Sequence, residues 1–494
     1  MATAPLPRST PEAQGIPSGA LLGFLDAIER EVQYVHSLVV LRRGHVVAEG
    51  YWDPFNAATP HMLFSVSKSF TSSAIGMLVN EGKLSLDDRV LDFFPDAAPA
   101  APAARLQALR VRHLLTMTSG HDGDPTRPIR QADVNWARAF FDAPQPYEPG
   151  ERFVYNSGAS YMLSAIAQKI TGQRLVEFLG PRLFEPLGFE DPTWDTSPQG
   201  IDVGGSGLKI RAAELARFGQ LYLQKGVWHG QQLVPQSWVE AATSFQVPNA
   251  NSSNARLGEP DWEQGYGYQF WRCRDHAYRA DGANGQFCIV LPQQEAVVAT
   301  MSGATNLQRL LELVWERLLP AFGDTAVPAD PDTAETLAAR LSSLKMPTPT
   351  GAPTSPVAAE LAGRTFRLDP NADGIETLAF DQDADGLTLV VNDGHCEQRV
   401  QVGYGEWLRG ELALPRFPGS GYPPSAAVAA AGAWADERTY DLQLWSYQTP
   451  WRNAWTCHFE EDRLRIERVT HPLSSANPVP TPLQAALATL TTRG

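Results

Sequence analysis

Residues 64–70 read Phe-Ser-Val-Ser-Lys-Ser-Phe and open a predicted helix that runs from about Ser65 to Asn80 and is closed by Gly82. Ser65 and Lys68 are three residues apart, so both side chains project from one face of the first helical turn. A serine hydroxyl is a weak nucleophile until a neighbouring base takes its proton. A lysine amine can take that proton where a dry, cationic site lowers its pKa, whereas arginine does not deprotonate in proteins. The pair is therefore a candidate nucleophile and base.

Lysine is rare in this chain, which has 34 arginines and only six lysines among 494 residues, so a lysine at position 68 is informative. The same S-x-x-K pattern occurs at Ser206–Lys209, in a glycine-rich turn, and at Ser342–Lys345, in a proline-rich stretch. We interpret both as coincidences, because neither opens a helix with a strong apolar face. The pattern therefore selects Ser65 and Lys68.

Strand and helix signals surround this motif in an order typical of an α+β domain. The predicted elements are the strands Ser37–Arg42, Val46–Tyr51, Tyr266–Cys273, Gln286–Leu291 and Ala296–Met301 and the helices Ser160–Thr171, Arg211–Gln224 and Leu307–Leu319. Two strands at the start, helices in the middle and strands at the end predict a mostly antiparallel sheet.

Composition divides the chain into four parts. Residues 1–325 carry the α+β pattern, and residues 326–358 are rich in Pro, Ala and Thr, which predicts a linker with one short helix. Residues 359–475 are short strands with turn signals roughly every 8–12 residues, which predicts a small β-barrel or sandwich domain. Residues 476–494 are predicted to form a loosely held tail.

Charge and cysteine usage exclude several classes of protein. With 55 acidic and 40 basic residues the formal charge is −15. No run of basic residues could form the positively charged surface that binds the phosphates of nucleic acid. We see no signal peptide and no apolar run of membrane-spanning length. The four cysteines form neither a disulfide framework nor a C-x-x-C pair. These features predict a cytoplasmic protein that works without nucleic acid, membrane, metal or other cofactor.

One acidic run partly matches the pattern of a calcium site. The segment Asp381–Gly386 matches the first half of an EF-hand loop, but position twelve of that loop is Asn392 rather than Glu, and Leu387–Val391 has the pattern of a strand. A hairpin turn is the preferred interpretation.

Seven blocks of sequence, in order, resemble the serine β-lactamase and penicillin-binding protein superfamily, and within it the class C-like branch with family VIII esterases and D-aminopeptidases. The blocks are HSLVVLRRGHVVAEG, FSVSKSF, EGKLSLDDRV, VRHLLTMTSG, FVYNSGASYMLSAIAQKITG, GGSGLKIRAAELARFG and RADGANGQF. The resemblance covers residues 10 to about 320. It implies a β-lactamase/transpeptidase-like fold, in which helices flank a five-stranded antiparallel sheet and a helical lobe follows the serine helix.

The second motif of that family, Tyr-x-Asn, falls on Tyr155-Asn156-Ser157. By this resemblance Tyr155 is a catalytic residue that accepts a proton and returns it to the leaving group; the alternative is an aromatic packed before a helix. Ser157 replaces the amide side chain of the motif. It is either a substrate contact or only the N-cap of the helix that follows.

The third motif, normally Lys-Thr-Gly or His-x-Gly, aligns with Ala280-Asp281-Gly282. We expect Gly282 and Asp281 to contact the substrate, since a glycine lets substrate lie against the strand. The backbone N–H groups of Ala283 and Ser65 are the expected oxyanion hole. The lysine or histidine of the family is missing, because Ala280 stands at its position.

The sequence thus predicts a metal-independent serine hydrolase that cleaves a small-molecule ester or amide. Ser65 would form an acyl-enzyme, Lys68 with Tyr155 would accept and relay the proton, and water would release the acid. The alternatives are β-lactamase or D-amino-acid peptidase activity, or a binding or sensor protein that is acylated without turnover. Without a cation at Ala280, neutral esters and uncharged amides are expected to be better substrates than β-lactams, which carry a carboxylate.

Overall fold

The computed structural model describes residues 6–125, 135–250, 259–371, 373–383, 386–412, 427–472 and 483–487. Contacts divide the chain into two compact units. The first comprises the chain up to Gly50, Pro60–Ser302 and Asn306–Ser343, and the second comprises Tyr51–Thr59, Gly303–Thr305 and the chain from Leu344.

The first unit is organised around an antiparallel sheet. Its strands are β1 (Val35–Arg42), β2 (His45–Tyr51), β3 (His61–Met62), β4 (Thr193–Trp194), β5 (Leu208–Ile210), β6 (Val227–Trp228), β7 (Gln231–Gln232), β8 (Trp271–Arg272), β9 (Tyr278–Gly282), β10 (Gln286–Leu291) and β11 (Ala296–Ser302). The main sheet has six strands in the order β2-β1-β11-β10-β9-β8. The predicted α+β class and antiparallel sheet are confirmed. Only Trp271 and Arg272 of the predicted strand Tyr266–Cys273 form strand structure, as β8 at one edge of the sheet, and β9 is an additional strand beyond the five that the sequence pattern predicts.

The register of the sheet explains its apolar sequence. Val39 pairs with Ala299, and Val298 pairs with both Val40 and Ile289. Every residue of β1, β10 and β11 is buried. Strands covered on both faces need apolar side chains at successive positions, which is why these segments are nearly continuous runs of Val, Ile, Leu and Ala.

Helices flank this sheet. They are α1 (Ser18–Glu31), α2 (Ser67–Asn80), α3 (Ala104–Ala108), α4 (Val111–Leu115), α5 (Trp136–Asp142), α6 (Ser157–Thr171), α7 (Leu175–Leu179), α8 (Glu185–Leu187), α9 (Ala212–Leu223), α10 (Gln236–Thr243), α11 (Leu307–Leu313) and α12 (Pro331–Ser342). Helix α9 packs on β1, β10 and β11, and α2 packs on α6. Within the described ranges we find no helix with the length and apolarity to cross a membrane.

Helix α2 is buried on all sides from Ser67 to Leu78 although it carries a run of hydroxyl side chains. These hydroxyls are satisfied by backbone carbonyls of neighbouring segments. Ser69 donates to the carbonyl of Gln269 at 2.8 Å, and Thr71 donates to the carbonyl of Gly204 at 2.9 Å. A buried polar side chain is tolerated where it is hydrogen-bonded, and these bonds fix the helix against two loops.

A three-stranded sheet, ordered β3-β5-β4, joins distant parts of the sequence. His61 pairs with Ile210, and Met62 pairs with Lys209. This pairing brings the residues just before α2 next to the glycine-rich segment that precedes β5.

Part of the predicted linker, residues 326–358, is helical and belongs to the first unit. The side chain of Asp330 accepts a hydrogen bond from the backbone N–H of Thr333 at 3.1 Å, and Pro331 occupies the first helical position. These are a favourable N-cap and start for α12. The helix packs on α1, where Arg340 forms an ion pair with Glu29.

The second unit contains a ten-stranded antiparallel sheet and a short helix, α13 (Pro356–Leu361). Its strands are β12 (Thr365–Leu368), β13 (Thr377–Asp383), β14 (Gly386–Asn392), β15 (Glu397–Val402), β16 (Leu408–Glu411), β17 (Ala427–Trp434), β18 (Thr439–Trp445), β19 (Arg452–Glu460), β20 (Arg463–His471) and β21 (Leu483–Leu487). The predicted C-terminal all-β domain is confirmed. Gly403, which follows the end strand β15, exchanges backbone hydrogen bonds with Ala430 and Gly432 of β17, so the chain after one end of the sheet bonds to a strand near the other end.

Two details of this unit refine the sequence analysis. Residues 476–494 are predicted to be a tail, yet Leu483–Leu487 forms β21 between β12 and β20, because its short apolar run completes the ladder between them. In the candidate calcium loop, β13 and β14 pair as a hairpin with Asp383 opposite Gly386, and residues 384–385 lie outside the described residues.

Candidate active site

Ser65 lies in a short 3₁₀ turn, Phe64–Val66, that leads into α2. Phe64 has a φ of +48°, a left-handed conformation that costs a bulky residue about 1–3 kcal/mol. The backbone N–H of Leu63 donates to the carbonyl of Leu208 at 2.9 Å, which anchors the turn on β5. The α-helix therefore begins two residues later than predicted, and the turn presents the half-buried Ser65 just before it.

Lys68 is almost completely buried, with 1% of its surface exposed. Its Nζ lies 2.9 Å from the Oγ of Ser65, 3.2 Å from the Oγ of Ser157 and 2.7 Å from the carbonyl oxygen of Gly205. A carbonyl can only accept, whereas a hydroxyl can also donate. A neutral amine can thus bond to Gly205 and still receive the proton of a neighbouring hydroxyl.

Tyr155 joins the same cluster. Its ring centroid lies 4.9 Å from the Nζ of Lys68. The ring also packs against Trp271, with centroids 5.5 Å apart, and meets Tyr266 edge-on at 6.4 Å. Burial raises the pKa of Tyr266 well above its ordinary value, and the neighbouring Tyr155 and Asp281 raise it further. The structure therefore brings Ser65, Lys68 and Tyr155 together.

The two residues after Tyr155 have different roles: one caps helix α6 and the other contacts Lys68. The N-cap of α6 is Asn156, whose side chain accepts a hydrogen bond from the backbone N–H of Ala159 at 3.1 Å. Ser157 is the first helical residue, and its Oγ contacts Lys68 instead. The alternative in which Ser157 is only the N-cap of this helix is therefore wrong, because the cap position lies one residue earlier.

A buried histidine fixes the Asn156 side chain. The Nε2 of His121 donates to the carbonyl of Phe140 at 3.1 Å, so its Nδ1 accepts from the hydroxyl of Ser119 at 2.9 Å. Ser119 in turn accepts from the Nδ2 of Asn156 at 3.3 Å. This chain requires a neutral imidazole, and burial lowers the pKa of His121 to about 4.

The glycine-rich turn before β5 contributes a site atom that the sequence analysis missed. Gly205 supplies the carbonyl that accepts from Lys68. A Cβ at Gly205 would lie 2.9 Å from the carbonyl oxygen of Ser157, so only glycine allows this approach to α6. The adjacent Ser206 belongs to the second S-x-x-K pattern. The run of glycines is the feature of the sequence that could have indicated a close backbone approach at this turn.

Gln269 was also missed by the sequence analysis. It is 2% exposed and has a φ of +64°. Its Oε1 accepts from Ser160 at 2.6 Å, its Nε2 donates to the carbonyl of Leu115 at 2.9 Å, and its own carbonyl accepts from Ser69. One side chain and its backbone thus tie together α2, α4 and α6, which carry or flank the site.

The end of β9 approaches the turn that carries Ser65. A Cβ at Gly282 would lie 2.4 Å from the carbonyl oxygen of Leu63. The glycine is therefore required by the chain's own backbone, in addition to any contact with substrate. Ala283 follows, exposed, at the start of a 3₁₀ turn.

Asp281 and Arg279 share the other face of β9, since residues two apart in a strand point the same way. Asp281 is 7% exposed, and its Oδ2 accepts from the Nε of Arg279 at 2.8 Å. The motif predicts that Asp281 contacts the substrate, whereas in the structure its carboxylate is buried against Arg279. As expected for a regular strand, Arg279 points away from the face of Ala280.

Several known proteins are similar to this chain in sequence or in fold. The chain is 27% identical to the 6-aminohexanoate-dimer hydrolase of Paenarthrobacter ureafaciens, across 60% of this chain and 79% of that protein. It is 28% identical to penicillin-binding protein 4 of Amycolatopsis lactamdurans, across 65% of this chain and 91% of that protein. A solved structure of a candidate beta-lactamase from Bacteroides dorei has the same fold, with a TM-score of 0.51 and 18% identity across 61% of this chain and 99% of that one.

The sequence profile of one family matches residues 17–347, which include Ser65, Lys68, Tyr155 and the end of β9. The profile is that of the beta-lactamase family. It spans well over half of the 494 residues and covers nearly all of the first structural unit. The chain therefore belongs to the beta-lactamase family.

Proposed function

We propose that this protein is a serine hydrolase that cleaves a small-molecule ester or amide through an acyl-enzyme on Ser65. The observation that carries the proposal is the contact between the buried Nζ of Lys68 and the Oγ of Ser65 at 2.9 Å. Membership of the beta-lactamase family supports it, as does the similarity to a protein named a 6-aminohexanoate-dimer hydrolase.

In the acylation step, the Oγ of Ser65 attacks the substrate carbonyl carbon while its proton passes to the neutral amine of Lys68. The Gly205 carbonyl holds the amine in place during this transfer, since it accepts a different N–H at 2.7 Å. The negative charge that develops on the carbonyl oxygen is received by the backbone N–H groups of Ser65 and Ala283. Preorganised donors of this kind are usually the largest single contribution to catalysis.

Collapse of the tetrahedral intermediate breaks the bond to the leaving group. The alcohol or amine leaves with the proton, which Lys68 returns through Tyr155, whose ring lies against the same amine. In deacylation, water gives one proton back to this pair, and its oxygen attacks the acyl carbon. The acid is then released, and Ser65 regains its proton. No step needs a metal or other cofactor.

The substrate is proposed to be neutral near the scissile bond. Ala280 offers no cation for a carboxylate, and Arg279 is fully buried and paired with Asp281. Loss of one hydrogen bond to a charged group costs about 1.5–3 kcal/mol, or roughly ten- to a hundredfold in affinity or rate. Esters and uncharged amides should therefore be preferred over penicillins and cephalosporins.

The experiment compares kcat/KM for a nitrophenyl ester, a nitroanilide of a neutral acid, a D-amino-acid nitroanilide and a chromogenic cephalosporin on one preparation. Ser65→Ala is the blank. We expect the neutral ester or anilide to have the highest kcat/KM. A higher value for the cephalosporin or the D-amino-acid substrate would instead establish β-lactamase or D-amino-acid peptidase activity.

A protein that binds or senses ligands without turnover is the competing class of function. Such a protein would be labelled once by a chromogenic ester and would release a single equivalent of nitrophenol. Steady release of nitrophenol after the first equivalent would contradict the sensor interpretation. Release that stops after one equivalent would contradict the proposal that the protein is a hydrolase.

A cytoplasmic location is proposed on the state of the cysteines. All four are free thiols in the structure, and Cys273, Cys288 and Cys457 are buried. Free thiols persist in the reducing cytoplasm. Fractionation of cells that produce the tagged full-length chain tests this, and recovery from the periplasm or medium would contradict it.

A further inference from the structure

A fully buried arginine lies just before the motif at the end of β9. The Nη1 of Arg279 donates to the carbonyl of Asp261 at 2.9 Å and to the Sγ of Cys273 at 3.1 Å, while its Nε donates to Asp281. Arginine remains protonated in proteins. Taking such a charge out of water costs several kcal/mol before its partners offset the cost, so its placement beside the site calls for a physical role.

Aromatic rings enclose this guanidinium. Its Cζ lies 4.7 Å from the ring centroid of Trp262, 5.7 Å from that of Trp271 and 5.9 Å from that of Phe287. Trp271 is also the direct partner of Arg279 in the ladder between β8 and β9. Strand β8 has only two residues and lies at the edge of the sheet, so few backbone bonds hold Trp271. The contact with the guanidinium is one of those that hold the indole, which also packs against neighbouring aromatic rings.

The indole in turn supports the tyrosine of the site. The ring centroids of Trp271 and Tyr155 are 5.5 Å apart with planes 30° from parallel. The ring of Tyr266 packs against both of these rings and is nearly perpendicular to each, and its centroid lies 5.0 Å from that of Trp271. The Tyr155 ring reaches the Nζ of Lys68 at 4.9 Å. A continuous series of contacts thus runs from Arg279 through Trp271 and Tyr155 to the amine.

We propose that Arg279 is a positioning residue which, through Trp271, holds the Tyr155 ring beside Lys68 for proton transfer. This inference rests on the proposed function, because it assigns a role in the same reaction. Proton transfer depends steeply on alignment, and a misplacement of about 1 Å can cost about 10²-fold in rate. Lysine at position 279 would keep the charge. It would lose the planar fork that reaches Asp281, Asp261 and Cys273 together.

Arg274 provides a matched control. It also pairs with the buried Asp261, through Nε at 2.9 Å and Nη2 at 2.7 Å. Its hydrogen bonds go to the carboxylate of Asp261, whereas Arg279 bonds to the Asp261 carbonyl and to Asp281. Arg274→Lys therefore disturbs the same buried cluster without touching the series of contacts that leads to Tyr155.

The experiment measures kcat per active site, counted by phosphonate titration, and the pH profile of kcat/KM for wild type, Arg279→Lys and Arg274→Lys. Titration removes the effect of misfolded molecules, which a merely structural role would produce. We expect Arg279→Lys to lose at least about tenfold in per-site kcat and to move a limb of the profile by about half a pH unit or more. We expect Arg274→Lys to stay within about twofold of wild type with an unchanged profile. Equal behaviour of the two variants, or a wild-type profile and per-site kcat in Arg279→Lys, would overturn the inference.

Substitutions at Trp271 keep the test decisive if Arg279→Lys does not fold. Trp271→Leu should reproduce the loss in per-site kcat and the shifted profile, and Trp271→Phe should restore most of both, since an aromatic face remains. A Trp271→Leu variant with wild-type values would overturn the inference. A wild type that takes no phosphonate at Ser65 would overturn the proposed function as well, whereas a labelled, active wild type with unchanged variants overturns this inference alone.

Discussion

The Nζ of Lys68 lies 2.9 Å from the Oγ of Ser65, and the carbonyl of Gly205 holds the same nitrogen at 2.7 Å from another direction. Because the carbonyl only accepts, it always occupies one N–H of the amine. The remaining positions of the nitrogen face the hydroxyls of Ser65 and Ser157. The amine is thus oriented toward the nucleophile before any substrate binds.

Replacement of Lys68 by arginine should abolish most of the activity. Arginine keeps the positive charge but cannot supply a neutral amine, so kcat should fall by at least about 10²-fold, the usual scale of general base catalysis. Lys209→Arg is the control, since Lys209 belongs to the second S-x-x-K pattern and lies half-exposed on β5. Steady-state hydrolysis of a nitrophenyl ester measures both. Turnover near that of wild type in Lys68→Arg would show that the residue acts only through its charge.

Ser157 and Asn156 should differ in what their loss affects. Ser157→Ala removes a hydrogen-bond partner of Lys68, so kcat should fall roughly ten- to a hundredfold with little change in thermal stability. Asn156→Ala removes the N-cap of α6 and should cost about 0.5–2 kcal/mol of stability. Melting curves and ester hydrolysis on the same preparations separate the two effects. A fall in stability for Ser157→Ala with normal kcat would contradict the assignment.

Gly282→Ala should disturb the site through a backbone clash. The new Cβ would lie 2.4 Å from the carbonyl oxygen of Leu63, and relief of such overpacking typically costs about 1–3 kcal/mol. Since Leu63 anchors the turn that carries Ser65, kcat/KM should fall with stability. Gly23→Ala, in the interior of α1 with nothing within 4 Å of the new Cβ, should be neutral or stabilising by up to about 1 kcal/mol. Equal effects of the two substitutions would contradict the close approach of β9.

His121 should make stability fall as the pH is lowered from about 6.5 to about 4. Burial lowers the pKa of His121 from 6.5 to about 4, so in this window the unfolded chain binds a proton that the folded chain does not. The free energy of unfolding therefore rises with pH across this window. The contribution of His121 to stability decreases as the pH falls through the same window. At 2% exposure, His121 contributes up to about 3 kcal/mol. Burial also lowers the pKa of the half-buried His113 to about 4, which acts in the same direction.

Urea unfolding at several pH values measures this dependence. His121→Gln should reduce the slope of the unfolding free energy against pH, whatever it does to the stability at pH 7. An unchanged slope in His121→Gln would contradict a neutral, buried His121 in the chain that fixes Asn156.

Most of the fold could be predicted from the periodicity of apolar residues and from motifs that are local in the sequence. The runs that form β1, β10 and β11 are apolar because both faces of these strands are covered. The helices α2, α6 and α9 end within about one residue of their predicted ends. Ser65 and Lys68 were identified because their spacing within one turn is local. Tyr155 and the end of β9 needed the resemblance to a family, because their approach to Ser65 depends on packing between segments far apart in sequence.

The features that the sequence analysis missed depend on tertiary contacts. The carbonyl of Gly205 has no side-chain signature, and its role arises when β3 pairs with β5. The segment Tyr51–Thr59 belongs to the second unit although nothing in its composition indicates it. Strand β21 is short, and its sequence acquires strand structure only between β12 and β20.

The most direct test of the account is the site of covalent labelling. The full-length protein is incubated with a fluorophosphonate, digested and mapped by tandem mass spectrometry, with Ser65→Ala treated in parallel. We predict one adduct per chain, located on Ser65 and absent from Ser65→Ala, and a rate of labelling that falls in Lys68→Arg. An adduct on Ser206 or Ser342, or labelling that persists in Ser65→Ala, would contradict the assignment of Ser65 as the nucleophile.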